Sequence, residues 1–207
     1  MIDSNRHISL YNPADYAAAR VALIGVGTIG SHLALTLARM QVPFTMYDPD
    51  TIEAHNIATQ AYTRRDIGRY KVEAIARQCE DIGAEGIEAR NEAFTGDGTN
   101  YDLIISCVDS IDARREIARA LGDSAVPVID GRVGAEQVEV YRYASASAWL
   151  AGLPDQADID PCGARFTAYT ANICAGLMAN AIKRELLGQS VPARILYDAA
   201  SSTFIKQ

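Results

Sequence analysis

The stretch Val21-Ala22-Leu23-Ile24-Gly25-Val26-Gly27-Thr28-Ile29-Gly30-Ser31 decides the fold. A short unbroken apolar run that ends in glycines reads as a buried strand meeting a turn. Beyond the glycines, Ile29 to Met40 carries Leu33, Leu35, Leu37 and Met40 among Ala and Thr, long enough for a helix packed on a sheet. Glycines at positions 25, 27 and 30 between strand and helix permit a tight turn and a close backbone approach. A phosphate can then sit at the helix N-terminus. The same glycines also serve a turn that holds no ligand, and the loop alone does not distinguish NAD, FAD and ATP.

Working outward, Val42–Tyr47 predicts a second strand, stopped by Asp48-Pro49-Asp50. Lys71–Ile82 carries Val72, Ile75, Ala76 and Cys79 at helical spacing. Leu103–Val108 predicts a strand, Ile111–Leu121 a helix and Ala125–Ile129 a further strand. Strands alternating with helical crossovers make a parallel sheet covered on both faces. Gln137–Tyr143 alternates Val138 and Val140 with polar neighbours, the pattern of a half-exposed antiparallel strand. Ala151–Pro161 is acidic and Pro-bounded, a surface loop. Phe166, Tyr169, Ile173, Leu177, Met178 and Ile182 mark one apolar stripe of a long helix over Arg165–Leu187, and Arg194–Asp198 adds a final strand. The expected fold class is α/β: a Rossmann-like, mostly parallel sheet with helices on both faces and antiparallel strands added in the C-terminal third. With no repeat, linker or low-complexity tract, residues 1–207 read as one domain.

Composition narrows the function. Nineteen Lys and Arg against 26 Asp and Glu give a net charge of −7 over 207 residues, which argues against nucleic acid as a partner. No apolar run approaches the roughly 20 residues that span a bilayer, so no membrane is expected. Asp3, Arg6 and Asp15 interrupt any signal-peptide core. The four cysteines, at 79, 107, 162 and 174, form no C-x-x-C pair, and no zinc knuckle or disulfide framework is expected. These features predict a cytoplasmic protein.

The residues after the glycine loop carry more information than the loop. Asp48 ends the second strand, near the position where an acid holds ribose hydroxyls. Asp50, Asn56 and Gln60 follow, then Asp66-Ile67-Gly68-Arg69-Tyr70-Lys71. Cys107-Val108-Asp109 closes a later strand at the end where open α/β sheets bind ligands. The chain has three lysines (Lys71, Lys183, Lys206) and sixteen arginines. A lysine supplies a point charge for phosphates, and a carboxylate can hold Mg²⁺ with several waters. Each residue also has a plainer reading. Asp109 can cap the following helix, Asp66 and Asn56 can be turn residues, and Lys71 can be a solvated helix face. Their joint spacing favours a nucleoside triphosphate over a dinucleotide. An NAD(P)-dependent oxidoreductase remains an alternative, supported only by the glycine loop and Asp48.

Together these residues resemble the ThiF/MoeB family, bacterial relatives of ubiquitin-activating enzymes. The resemblance runs through Asn5-Arg6-His7-Ile8, the loop Gly25, Gly27, Gly30 and Ser31, then Asp48 and Asp50, Asn56 and Gln60, Asp66-Ile67-Gly68 with Lys71, and Cys107 with Asp109. It implies a single ThiF-type nucleotide-binding and adenylation domain, in a short stand-alone bacterial or phage-type member. The implied activity is ATP-dependent adenylation of a C-terminal carboxylate on a small ubiquitin-like or sulfur-carrier protein or peptide, with ATP and Mg²⁺ as cofactors. By that resemblance Asp48 holds the ribose, Asn56 and Lys71 the phosphates, and Asp109 the Mg²⁺. Arg6 reaches the ATP of the other subunit of a homodimer. Cys162, in Asp160-Pro161-Cys162-Gly163, looks like the cysteine that takes over the activated acyl group; its plainer reading is packing at a helix start. Cys79, Cys107 and Cys174 read as core filling. The family's arginine before the motif glutamine is Thr59 here, with Arg64 or Arg65 as candidate replacements, and this departure motivates a third reading: a catalytically silent member that scaffolds a partner.

Overall fold

The structure, a computed structural model, describes residues 2, 8–96, 101–154 and 167–206; Arg6 and Cys162 lie outside them. Five parallel strands and three antiparallel ones form a single sheet in the order β3-β2-β1-β4-β5-β6-β7-β8. They are β1 (Val21–Ile24), β2 (Phe44–Tyr47), β3 (Ile87–Arg90), β4 (Leu103–Ser106), β5 (Val128–Gly134), β6 (Gln137–Tyr143), β7 (Arg194–Asp198) and β8 (Thr203–Lys206). The helices are α1 (Thr28–Arg39), α2 (Lys71–Ile82), α3 (Ile111–Leu121), α4 (Ala146–Ala151) and α5 (Ala168–Leu186).

The two faces of the sheet follow from strand periodicity. Val21 and Leu23 of β1 join one apolar cluster with α1, α2 and α5, while Ala22 and Ile24 join another with α3 and α4. In β4, Leu103 and Ile105 face the first cluster and Ile104 the second. A strand buried on both sides needs the continuous apolar runs that the sequence shows. Between β1 and β4 the crossovers change face, so the loops leaving these two neighbours diverge and open a crevice at the carboxyl ends of the strands.

The α/β class, the central strands and the first three helices match the sequence reading. Four details differ. β5 does not stop at Ile129: it continues through Asp130-Gly131-Arg132 to Gly134 and turns directly into β6. Ala151 ends the helix α4 and is not loop; residues 155–161 of the expected loop lie outside the described residues. The edge strands β3 and β8 were not anticipated, and their mainly exposed side chains explain why. In α5 the buried face is Ala171, Cys174, Ala175, Met178, Ala179 and Ile182, whereas Tyr169 is exposed. The small residues therefore serve packing within the chain, where α5 lies against α1.

Candidate active site

The glycine loop is held rigidly from below. Tyr62 Oη donates to Val26 O at 2.6 Å, and the Val26 N–H donates to Asp48 Oδ2 at 2.8 Å. Gly25 adopts φ +85°, and a Cβ there would stand 2.9 Å from Cys107 O. A Cβ on Gly30 would stand 1.9 Å from Gly25 O, so α1 begins pressed against the loop. The fold itself thus requires these two glycines. Gly27 is different: a Cβ there would meet only Gln60 Nε2, at 3.9 Å, and would project into the crevice.

Asp48, Asp50 and Lys71 converge at one end of that crevice. Asp48 is buried; its Oδ1 accepts the Asp50 N–H at 2.9 Å, and burial raises its pKa despite the nearby Lys71 ammonium. Lys71 opens α2 and is buried, with Nζ 2.7 Å from Asp50 Oδ2 and 3.8 Å from Asp48 Oδ1. It is not a solvated helix face. The Asp66-Ile67-Gly68 turn sets its position. Gly68 at φ +85° donates to Ile52 O, and the Lys71 N–H donates to Asp50 O at 3.0 Å. Asp66 is buried and structural: it accepts from Thr63 N–H and Oγ1 and pairs with Arg77. Its burial opposes the charge, but these partners hold its pKa below the ordinary value. Asn56 is also buried; its Oδ1 accepts the Glu53 N–H at 2.8 Å, and the residue lines the crevice.

At the end of β4, Asp109 is exposed and caps nothing. Ser110 is the cap of α3, its Oγ accepting the Ala113 N–H at 3.1 Å. The helix-cap reading of Asp109 is therefore corrected, and its carboxylate lines the crevice.

The sequence reading missed a buried ionic cluster beside it. Asp130 of β5 is fully buried and accepts Arg114 Nε at 2.9 Å, Arg132 Nε at 2.9 Å, Arg132 Nη2 at 2.7 Å and Trp149 Nε1 at 3.3 Å. Arg114, from α3, also donates to Ser110 O and Gly131 O. Arg132 lies 4.5 Å over the Tyr141 ring. Burial works against the Asp130 charge, but the two guanidinium groups overcome it and hold its pKa below the carboxylate range. Both arginines line the crevice; Arg64 and Arg65 are exposed and do not.

The crevice encloses about 750 Å³, within the ordinary range of small-ligand sites, and brings Gly25, Gly27, Asp48, Asp50, Asn56, Lys71 and Asp109 onto one surface. Two features of its wall suit a nucleotide. Space beside Gly27 lets a phosphate approach the backbone at the start of α1. In addition, Gln60 Oε1 is buried in the crevice wall with no hydrogen-bond partner among the described residues. No cluster of three His, Cys, Asp or Glu fit for a metal occurs among the described residues. Asp109 suits Mg²⁺, which is commonly held by one or two carboxylates together with substrate phosphates and water. Cys79, Cys107 and Cys174 are buried, and burial pushes all three thiols up, so each is a packing residue and not a thiolate.

Known proteins share this architecture. Ubiquitin-like modifier-activating enzyme 5 of Drosophila persimilis is 33% identical over 125 residues, which cover 51% of this chain and 33% of that protein. Its Arabidopsis thaliana counterpart is 25% identical over 126 residues, covering 50% and 29%. The chain spans about a third of the length of these curated relatives. Among solved structures, E. coli MccB with ATP superimposes with a TM-score of 0.75 at 18% identity, over 94% of this chain and 65% of that one. PaaA does so with a TM-score of 0.73 at 20% identity, again over 94% and 65%. These likenesses establish a shared fold. The ThiF family profile matches residues 7–205, nearly the whole chain, and the chain accordingly belongs to the ThiF family.

Proposed function

We propose that this chain is an ATP-dependent adenylyltransferase acting on the C-terminal carboxylate of a small ubiquitin-like or sulfur-carrier protein, or of a peptide. The observation that carries this reading is Asp109, an exposed carboxylate with no structural task, placed at the topological switch point beside the glycine loop. In the reaction a carboxylate oxygen attacks the α-phosphorus of ATP. The new acyl–phosphate bond forms as the bond to the β-phosphate oxygen breaks, and pyrophosphate leaves with that electron pair. Both reactants are anionic, so fixed positive charge must offset their repulsion. In this reading Asp48 and Asp50 hold the ribose, while the Asn56 NH₂ and Lys71 Nζ bind phosphate oxygens. Asp109 would hold Mg²⁺, which would supply charge neutralisation on the phosphates. The names of the relatives support the reading: one is a ubiquitin-like modifier-activating enzyme, and MccB has been solved with AMPCPP and MccA.

Three further elements belong to the same proposal. Residues 1–207 act as one nucleotide-binding and adenylation domain in the cytoplasm; no helix among the described residues is long and apolar enough to cross a membrane. The chain forms a homodimer in which Arg6 serves the partner's site. The exposure of Ile8 and Leu10, apolar residues just beyond Arg6, supports a covering subunit. Finally, in a later step the Cys162 thiolate attacks the acyl carbon, and the thioester forms as the acyl–phosphate bond breaks and AMP leaves. The silent-member reading rests on Thr59, and the arginines found in the crevice wall weigh against it.

ATP–pyrophosphate exchange against a panel of tail peptides, some ending in Gly-Gly, tests the proposal. Exchange that requires both a free C-terminal carboxylate and Asp109 supports it. Saturable NAD binding without ATP binding refutes it.

A further inference from the structure

The two ends of the crevice carry opposite residual charge. At the β2 end, Lys71 faces two carboxylates, Asp48 and Asp50, and leaves one negative charge in excess. At the β5 end, Arg114 and Arg132 share the single carboxylate of Asp130 and leave one positive charge in excess. Arg114 and Asp130 are shielded from water, and only 10% of the Arg132 side chain is exposed. An uncompensated charge in such a wall acts far more strongly on a ligand than one in water. Glu116, which also lines the crevice, is exposed, and water screens it.

The order of strands then assigns stations along the crevice. Asp48 ends β2, the glycine loop follows β1, Asp109 follows β4, and Arg132 lies on β5. β2 and β5 are three strand spacings apart, about 14 Å. In the adenylation reading the α-phosphate, one ester link from the ribose at Asp48, sits at the loop and the pyrophosphate lies with Asn56 and Lys71, so the flank of the α-phosphorus toward β5 is open to the attacking group. The reactant still to be placed is the acyl group, an anion before the reaction.

We propose that Arg132, clamped by Asp130 and stacked on Tyr141, receives the terminal carboxylate of the acyl substrate and selects it against a C-terminal amide. This rests on the adenylation reading and deepens it. The clamp sets the guanidinium plane: Nε and Nη2 are both committed to Asp130 Oδ2, and the ring lies on one side. A guanidinium fixed in this way loses little freedom on binding a planar carboxylate. Asp130 is the positioning residue, and Arg132 is the group that touches the substrate.

Two unreactive probes separate the acyl group from the nucleotide: 5′-O-sulfamoyladenosine, and the same compound N-acylated with acetylglycine, whose ionised acylsulfamate places charge on the acyl oxygen. Affinities for both and for ATP are measured by calorimetry on the wild type and on Arg132→Gln. The inference expects ATP and sulfamoyladenosine to bind within about twofold of wild type, while the advantage conferred by the acyl group falls about tenfold or more, as loss of a charged hydrogen bond implies. Parallel losses for all three compounds would make Arg132 a phosphate or structural residue and overturn the inference. It is equally overturned if the acyl group confers no advantage on the wild type. A wild type that binds neither nucleoside probe nor ATP instead refutes the adenylation reading. Should Arg132→Gln fail to fold, Arg132→Lys is judged by the same criteria, because it keeps the charge but loses the two-point clamp and the stacking.

Discussion

Asp130→Asn is the substitution on which the structure speaks most strongly. Two carboxylate oxygens accept from Arg114, Arg132 and Trp149 in the native protein. An asparagine has one acceptor oxygen, and its NH₂ must then face a guanidinium, donor against donor. Arg114 is 2% exposed and cannot turn to water, so its charge is left buried beside only two carbonyl oxygens. Removing one partner of a buried pair costs about 3–5 kcal/mol. In a chain of this size about 2–4 °C is lost per kcal/mol. The expected fall in Tm is therefore roughly 6–20 °C, with the urea midpoint lowered to match.

The pH dependence follows from the same contacts. The folded-state pKa of Asp130 is depressed. Its contribution is fully present above the unfolded value, about 3.9. It disappears as pH falls through the folded value. Wild-type stability should therefore drop steeply on the acid side of pH 4, and the asparagine variant should lose less there, so that the two curves approach each other. Urea unfolding followed by circular dichroism between pH 7 and pH 3 reads both effects. A variant within about 1 kcal/mol of wild type at pH 7 would show that the cluster is not needed for the fold, and the argument above would fail.

Three other outcomes are expected. Asp109→Ala should lower pyrophosphate exchange by at least about a hundredfold, the scale of lost electrostatic stabilisation. Its urea midpoint should stay within experimental error of wild type, since Ser110 caps α3; near-normal exchange would remove Asp109 from the site. Gly30→Ala places a Cβ 1.9 Å from Gly25 O and must shift the loop backbone. A cost of about 3 kcal/mol is expected in equilibrium unfolding, at the upper end for overpacking, and an unchanged midpoint would contradict the close approach of α1. Mixing Arg6→Ala chains with Lys71→Ala chains should restore exchange in a fraction of heterodimers, because one of their two sites is then intact. Absence of recovery after demonstrated subunit exchange refutes the shared site.

The central strands and the Asp48–Lys71 corner were legible in the sequence for one reason: their signals are local. Val21–Ile24 is apolar on both faces, and Lys71 follows a turn whose glycine needs a positive φ. The ionic cluster was not legible. The apolar run that predicts this strand ends at Ile129, yet Asp130-Gly131-Arg132 continues β5, and a Cβ on Gly131 would lie 2.2 Å from Met178 Sδ. That glycine answers to the packing of α5, a partner distant in sequence. A charge in a strand signals burial only when its partner is known, and Arg114 comes from the preceding helix, 16 residues away. The stripe read for α5 took in Met178 and Ile182 but missed its small members, for a related reason. Bulky side chains attract attention, but a close approach to α1 selects Ala171, Ala175 and Ala179.

The motif residues divide according to what requires them. Gly25, Gly30 and Asp66, and the carbonyl end of Asn56, are fully explained by the backbone they hold, and any protein with this loop geometry would need them with or without chemistry. Asp48 fixes the loop through Val26, yet it is buried at an energetic cost to its own charge that this contact alone does not require. Asp109, the space beside Gly27 and the unpartnered Gln60 Oε1 have no comparable structural explanation. A fold under selection for stability alone would fill the space and satisfy the amide, because a buried polar atom without a partner costs about 1–3 kcal/mol. These unexplained features adjoin one crevice at the carboxyl ends of β1 and β4. The physical case for a ligand there rests on them, more than on the glycines that first drew attention to the loop.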